Sequence, residues 1–347
     1  MCIKYIVIHI MNYVCILFLW DMLVMRVNIQ LEPRTAMVIG ALVADAASLG
    51  LHWIYDPDRI RQIEKDVGLV FLQPDANHYS GVKGYFAHGN KQAGEFSGYG
   101  ENCLQILKHL SLHGEFDRRA YQQEFCAYFG PGGEYIGYVD SPTRKALNTL
   151  LTKDIKSYPE KSGADDDQLL ALATIPVLVA RHRGSLDSLM ALIETVVRIT
   201  NNNDLAVSAA QCIASVLSEL RDGASLREAM TQAVPHAGKN LSNLLRQSLA
   251  INDNNSQAAA AEFGSACHVV EGLPVVFHIA NHAPDYITAI QENIRVGGDS
   301  CGRAIVLGAI MATHRAAEQN LASAIPFSWV IRSRNLQVAV DALESIV

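Results

Sequence analysis

Residues 296–312 read VGGDSCGRAIVLGAIMA, and the fold turns on how that stretch is read. A glycine pair, an acid, a serine and a thiol stand directly before a run of Ala, Ile, Val, Leu and Met whose three- and four-residue spacing is helical. A helix start leaves several backbone N–H groups unpaired, so Asp299 and Ser300 are candidates either to cap this helix or to hold a ligand at its tip. Gly297 and Gly298 go beyond what a cap requires, because adjacent glycines let the backbone turn sharply or approach a ligand closely.

The same periodicity recurs in both directions along the chain. TAMVIGALVADAASLG (35–50), ENCLQILKHLSLHG (101–114), DDQLLALATIPVLVARH (166–182), LDSLMALIETVVRI (186–199), DLAVSAAQCIASVLSELRDG (204–223) and GRAIVLGAIMATHRAAEQ (302–319) are rich in Ala and Leu and mostly end near Gly, Asn or a basic residue. Strand-like alternation is scarce, GLVFLQ at 68–73 being the best candidate. The pattern predicts an all-α protein, a multi-helix bundle in which the helices after residues 35, 167, 204 and 302 are apolar on more than one face and therefore interior. Two irregular segments, Asn77–Gly100 and FGPGGEYIGYVDSP (129–142), have the length and composition of functional loops.

Composition narrows the partners. A chain of 347 residues with 50% hydrophobic and 18% charged residues is a well-buried globular protein, and a formal charge of -7 without a long Lys/Arg run argues against nucleic acid. The expected ligand is a small molecule. Seven scattered cysteines with no CxxC pair argue against a disulfide framework or structural zinc and fit a reducing cytoplasm. Residues 1–30 stand apart from the expected domain at 31–347. Their apolar run from Tyr5 to Trp20 is short for a bilayer span. It reads as an extension foreign to the fold, as a membrane anchor through residues 5–20, or as a signal sequence or core helix.

Acids fall at the starts of apolar helices or inside them. Asp45 lies within a helix otherwise made of Ala, Leu, Val and Gly, so it needs a hydrogen-bonding partner or a ligand. Glu101 and Asn102 stand at a helix start behind a Gly-Tyr-Gly bend, where the dipole favours an acid. Asp165, Asp166 and Asp167 lead into another helix, Asp165 as a solvated first turn, with Gln168 following. TNNNDLAV (200–207) reads as a turn and cap. His52 and Trp53, after a helix-ending glycine, either cover the end of a core or stack on an adenine or ribose face. Acid-bearing helix tips of this kind could converge on one central polar cleft.

In order, these pieces resemble the ADP-ribosylglycohydrolase family, which includes the dinitrogenase reductase-activating glycohydrolases and the J1 crystallins. The resemblance runs over about residues 35–320 and rests on Ala44-Asp45-Ala46, on Tyr99-Gly100-Glu101-Asn102, and above all on Gly297-Gly298-Asp299-Ser300-Cys301-Gly302 with the helix that follows. DYITAIQENIRVGGD (285–299) is similar to the family's approach to that last motif. The resemblance implies an all-α fold, an ADP-ribose-like small molecule or an ADP-ribosylated protein as partner, and a pair of Mg²⁺ ions that orient the ligand and the attacking water. It also implies that the second motif is Thr-Asp-Asp-Thr and the third Gly-Gly-Asp-x-Asp-Thr. This chain has Tyr99 for the first Thr, Gly100 and Glu101 for the two Asp, and Cys301 and Gly302 for the late Asp and Thr; Asp299 is unchanged. Mg²⁺ needs hard oxygen ligands and a thiolate is a soft one, so the magnesium site reads as degenerate, with Glu101 and Asp299 left to hold at most a single ion.

Three functional readings follow. In the first, a hydrolase cleaves an N- or O-glycosidic bond of an ADP-ribosyl or nucleoside-like ligand. Glu101 and Asp299 then divide the acid and base roles, and Arg303 pairs with a phosphate. Asp45, His52, Trp53, Tyr99, Asn102, Asp166, Asp167, Gln168, Gly297, Gly298, Ser300, Cys301 and Arg303 would line its pocket. In the second, the chain is a non-catalytic binding or structural relative in which Arg303 pairs with Asp299 or Glu101 in place of the lost cations. In the third, Cys301 is a nucleophile with a thiol activated by the helix start and Arg303, and with His52 or His88 as base.

Overall fold

The computed structural model describes residues 31–319 and 324–347. Among the described residues 67% are helical, in 16 helices, and there is no sheet. The expected all-α architecture is what the chain adopts. The candidate anchor at residues 5–20 lies outside the described residues.

The segment around Asp45 forms α1 (Pro33–Ser48), and the opening stretch forms α14 (Ser300–Ala317). These two helices make the most extensive contact in the molecule and are buried along almost their whole length. Glycines permit the close approach: a Cβ at Gly308 would lie 2.4 Å from the Gly40 carbonyl oxygen and 2.5 Å from the Ala44 Cβ. Pro33–Leu51 is apolar and long enough to cross a bilayer, but here it is a core helix, as its small residues facing α14 require.

Several helices surround this pair, among them α3 (Gly98–His113), α6 (Ile175–Arg181), α8 (Asp204–Arg221) and α13 (Tyr286–Val296). Asp285 caps α13 by accepting from Thr288 N at 2.7 Å, and the Tyr286 hydroxyl donates to the Gly40 carbonyl at 2.7 Å, tying α13 to α1. One hydrophobic cluster runs from Ala36 to Ile346, and a small satellite lies between α4 (Arg118–Phe129) and α5 (Ser141–Leu150).

Two expectations need correcting. GLVFLQ at 68–73 is no strand; it runs as bends, with Phe71 N donating to the Ala47 carbonyl at 2.9 Å, and nothing pairs with it as a ladder. The helix expected at 166–182 is broken into a 3₁₀ turn at Leu169–Leu172 and the short α6, whose start coincides with Pro176. Proline fits best in the first turn of a helix, so a continuous helix through residue 176 is disfavoured.

Candidate functional site

The N-termini of α3 and α14 and the chain just after α1 meet in one place. Asp299 caps α14, its Oδ1 accepting from Gly302 N at 3.1 Å. The same Oδ1 lies 2.7 Å from His52 Nε2, and Oδ2 accepts from the Tyr99 hydroxyl at 2.7 Å. His52 Nδ1 lies 2.7 Å from His88 Nε2. A carboxylate only accepts, so His52 donates through Nε2, while the donor between His52 Nδ1 and His88 Nε2 depends on the tautomers of the two rings. His88 Nδ1 is buried and has no partner. Burial, together with His52 and Lys91 nearby, holds His88 well below the ordinary histidine range and keeps it neutral. Burial alone would raise the Asp299 carboxyl; His52, the Tyr99 hydroxyl and Arg303 outweigh it and hold the group below its ordinary value.

Asp45 faces the start of α3. It accepts from Ser97 N at 2.8 Å and from the Ser97 hydroxyl, while Ser97 itself caps α3. Burial pushes the Asp45 carboxyl up to about 7 against the opposing effect of those bonds. Glu101, one turn on, is paired on both oxygens: Lys91 Nζ lies 3.0 Å from Oε1, and the Tyr128 hydroxyl donates to Oε2 at 2.7 Å. Asp140, the cap of α5, is raised to about 6 by burial, with Asp166 and Asp299 adding to the effect.

Above this floor stands an aromatic group. Trp53 adopts φ 67°, a left-handed conformation costly for a bulky residue, and its backbone is held by a bond from its N–H to the Gly298 carbonyl at 2.8 Å. Its ring stacks on His52 with centroids 4.2 Å apart and meets Tyr138 edge-on at 5.1 Å, with Tyr85 at 5.9 Å. Tyr85 is 55% exposed.

The structure brings Asp45, His52, Trp53, Tyr99, Glu101, Asp299 and Cys301 together, but several side chains serve in other ways than their expected roles. The glycine pair serves the protein's own backbone. A Cβ at Gly297 would lie 2.6 Å from the Ile54 carbonyl, and one at Gly298 2.1 Å from that of Ser265. Arg303 does not pair with Asp299 or Glu101; its guanidinium binds Asn293 Oδ1 at 2.8 Å and the carbonyls of Ser265, Asn293 and Gly297. Burial lowers its pKa to about 10 and no phosphate could reach it, because the residue is wholly buried. Cys301 is no activated thiol: it is buried, its Sγ lies 3.8 Å from the Asp45 carbonyl, and burial with Asp45 and Asp299 nearby pushes it well above its ordinary value. Both nitrogens of His52 are engaged elsewhere, so it is not a base for that thiol.

The remaining candidates hold structure. Asn102 donates to the Gly98 carbonyl at 2.8 Å, within its own helix. Asp166 accepts from Lys145, Ser141 and Gln168 N, and Asp167 lies 2.5 Å from His268 Nδ1. Gln168 forms an isolated bridge with His268. The Ser300 hydroxyl is buried without a partner. Asp165 is exposed, as expected, and accepts from Asn203. TNNNDLAV does more than cap: Asn201, fully buried, donates to the Asp166 carbonyl at 2.9 Å and holds the acidic turn.

The residues present do not fit a pair of magnesium ions. At the two positions where ligand side chains would have to begin, there is no room for a Cβ. At Gly100 it would lie 2.3 Å from Asp45 Oδ2, and at Gly302 2.6 Å from Asp299 Oδ2. The surviving carboxylates have closed over that space, and Asp299 and Glu101 have donors on every oxygen.

A different group could hold a metal ion: His109, His113 and Glu124 bring three ligand atoms within 4.8 Å of one another. Its nitrogen-rich donors suit a transition metal rather than magnesium. Here it is satisfied internally. Asp117 N donates to His109 Nε2 at 3.1 Å, so His109 carries its proton on Nδ1 and gives it to Glu124 Oε2 at 2.8 Å.

Sequence reasoning missed Lys91, Ser97, Tyr128 and Asp140, and named His88 only as a candidate base for Cys301. Lys91 and His88 lie in the Asn77–Gly100 segment already marked as functional by its length, and the unmatched acids nearby called for a cation.

The chain has relatives that match it over most of its length. It is 29% identical to Crystallin J1A of Tripedalia cystophora over 326 residues, covering 91% of this chain and 96% of that one. With Crystallin J1B of the same organism the identity is 26% over 334 residues, with coverage of 92% and 97%. Among solved structures, an ADP-ribosylglycohydrolase-related protein complex shares the fold at a TM-score of 0.67 and 18% identity, over 91% of this chain and 97% of that one. The sequence profile described as ADP-ribosylglycohydrolase matches residues 30–347, the whole of the helical body built around α1 and α14, and the chain therefore belongs to the ADP-ribosylglycohydrolase family.

Proposed function

We propose that this protein binds an ADP-ribose-like ligand without a metal and does not cleave it. The observation that carries this reading is that Asp299 and Glu101, the two acids best placed to act as general acid and base, are both fully hydrogen-bonded by side chains and backbone of the same chain. An acid–base pair must exchange protons with water or a leaving group, and these carboxylates would first have to break charge-assisted bonds. Recognition falls instead to the aromatic group. Trp53, Tyr85 and Tyr138 offer ring faces and edges suited to an adenine or ribose. Two similar proteins are named as crystallins, which accords with a fold kept for a role other than turnover.

Titration with ADP-ribose, followed by tryptophan fluorescence and calorimetry in EDTA and in MgCl₂, tests the proposal. Equal affinity in both buffers, lost in Trp53→Ala, is the expected result; binding that requires Mg²⁺ would overturn it. A second reading, hydrolysis without metal, rests on one observation: the Asp299–His52–His88 chain ends at an unpaired, neutral His88 Nδ1. Release of ADP-ribose from an ADP-ribosylated peptide in EDTA, abolished in His88→Gln, would select it.

A further inference from the structure

We infer that Lys91 supplies from within the chain the positive charge that a divalent ion would otherwise bring to Glu101, making this pocket a site closed by its own ammonium group. The inference rests on the metal-free reading above and adds to it the residue that makes the metal unnecessary.

Lysine is rarely buried unless paired, and Lys91 is only 6% exposed. Its Nζ lies 3.0 Å from Glu101 Oε1 and 5.0 Å from the centre of the Tyr135 ring, so one side of the ammonium meets a carboxylate and another a π-face. Gly137 makes room for the stem: a Cβ there would lie 3.0 Å from Lys91 Cε and 2.5 Å from the Tyr135 hydroxyl. Glu101 is the residue that aligns with a carboxylate of the second family motif.

The loop that carries Lys91 is fixed. Lys91 N donates to the His88 carbonyl at 3.0 Å, and Gln73 Nε2 donates to the Lys91 carbonyl at 3.0 Å. Gln73 Oε1 accepts from Ala93 N at 3.0 Å, and three residues on from Lys91 the Gly94 carbonyl accepts from Arg334 N at 2.7 Å. The loop packs so closely there that a Cβ at Gly94, φ 84°, would lie 2.0 Å from the Arg332 carbonyl. A lysine whose own backbone makes two of these bonds, in a loop held by two more, delivers its charge to one place, as a bound ion would.

Lys91 offsets Glu101 by direct contact, while Asp299 is held by His52 and the Tyr99 hydroxyl, with Arg303, buried beneath the glycine pair, adding through space. This division corrects the expectation that Arg303 would be the built-in cation of the motif.

Thermal melting of the full chain, without nucleotide, tests the inference separately from ligand binding. Wild type, Lys91→Met and the double variant Lys91→Met/Glu101→Gln are melted in EDTA, in MgCl₂ and in MnCl₂ at millimolar concentration. Wild type and the double variant should melt at the same temperature in all three. Lys91→Met should melt several degrees lower in EDTA and recover part of that loss with Mg²⁺ or Mn²⁺. If Lys91→Met does not fold while the double variant does, the need for charge at this point is upheld by that contrast. A wild-type melting point that rises with Mg²⁺ and falls back with EDTA would overturn the inference. So would a Lys91→Met protein that melts like wild type, one that loses stability but responds to neither ion, or a double variant as unstable as the single one. Failure of ADP-ribose to bind would leave these outcomes unaffected.

Discussion

Replacing Asp45 by Asn should stabilise the protein above neutral pH and leave it nearly unchanged near pH 4. Asp45 is fully buried in α1, and burial is the main cause raising its pKa from 3.8 to about 7; hydrogen bonds from Ser97 oppose the rise and the Glu101 charge adds to it. A folded pKa above the unfolded one means that the folded state holds a proton which the unfolded state has already lost. Stability from this group is therefore fully present below about pH 4 and drains away as pH rises to about 7, beyond which it is constant. The shift of about 3 units at about 1.36 kcal/mol each gives a ceiling of about 4 kcal/mol. Asn keeps an acceptor for Ser97 N at 2.8 Å and never ionises. It forgoes the charge-assisted character of those bonds, so the net gain at about pH 8 should be nearer 1–2 kcal/mol. Urea unfolding of wild type and variant at several pH values isolates Asp45, because the other carboxyls are common to both proteins and cancel in the difference. A variant less stable than wild type at every pH, by a constant margin, would refute the reasoning and show that the ionised carboxylate is itself required.

Tyr99→Phe removes the donor to Asp299 Oδ2 and should cost about 1.5–3 kcal/mol at neutral pH, measured by the same unfolding. Gly308→Ala should destabilise by about 1–3 kcal/mol despite a helix-propensity gain of about 1 kcal/mol, because the new Cβ meets the Gly40 carbonyl at 2.4 Å; a stabilised variant would contradict the close packing of α1 on α14. Brief alkylation of the native protein followed by mass spectrometry should label Cys126 and Cys267, which are partly exposed, before Cys301, which is buried with its thiol pushed well above its ordinary value. Early labelling at Cys301 would reopen its nucleophilic role.

The fold was legible in the sequence because helices announce themselves locally. Asp299, Ser97 and Asp285 each cap an apolar run, and periodicity over a dozen residues needs no knowledge of distant neighbours. The site was legible only as a set of acids without partners. Asp45 had to bond to something, but nothing local says that its partner is Ser97, 52 positions away. Arg303 follows Asp299 closely in sequence and invites a direct pair, yet the helix turns its side chain towards Asn293 and the glycine loop. The two irregular segments carry Lys91, His88 and Asp140, whose contacts come from tertiary packing with no periodic signal. The break at residues 173–174 was readable in principle, since Pro176 sits inside the apolar run.

The pocket is better described as closed than as decayed. Loss of ligands alone would leave an acidic hollow whose carboxylates repel one another and whose burial is costly. Here each vacated volume is filled. Asp45 Oδ2 occupies the space beside Gly100, Asp299 Oδ2 the space beside Gly302, and Lys91 stands against Glu101. Restoring a single family residue would therefore not restore a metal site. An aspartate at position 100 would place its Cβ 2.3 Å from a carboxylate oxygen that already binds Ser97 N, so Asp45 would have to leave and deprive Ser97, the cap of α3, of its acceptor. A threonine at 302 would meet Asp299, which could move only by releasing Tyr99 and His52 together. Each reversion is opposed by a hydrogen-bonded network that the others sustain. That mutual dependence makes the proposed metal-free arrangement a structural state in its own right, with Tyr99, His52 and Lys91 serving as its donors.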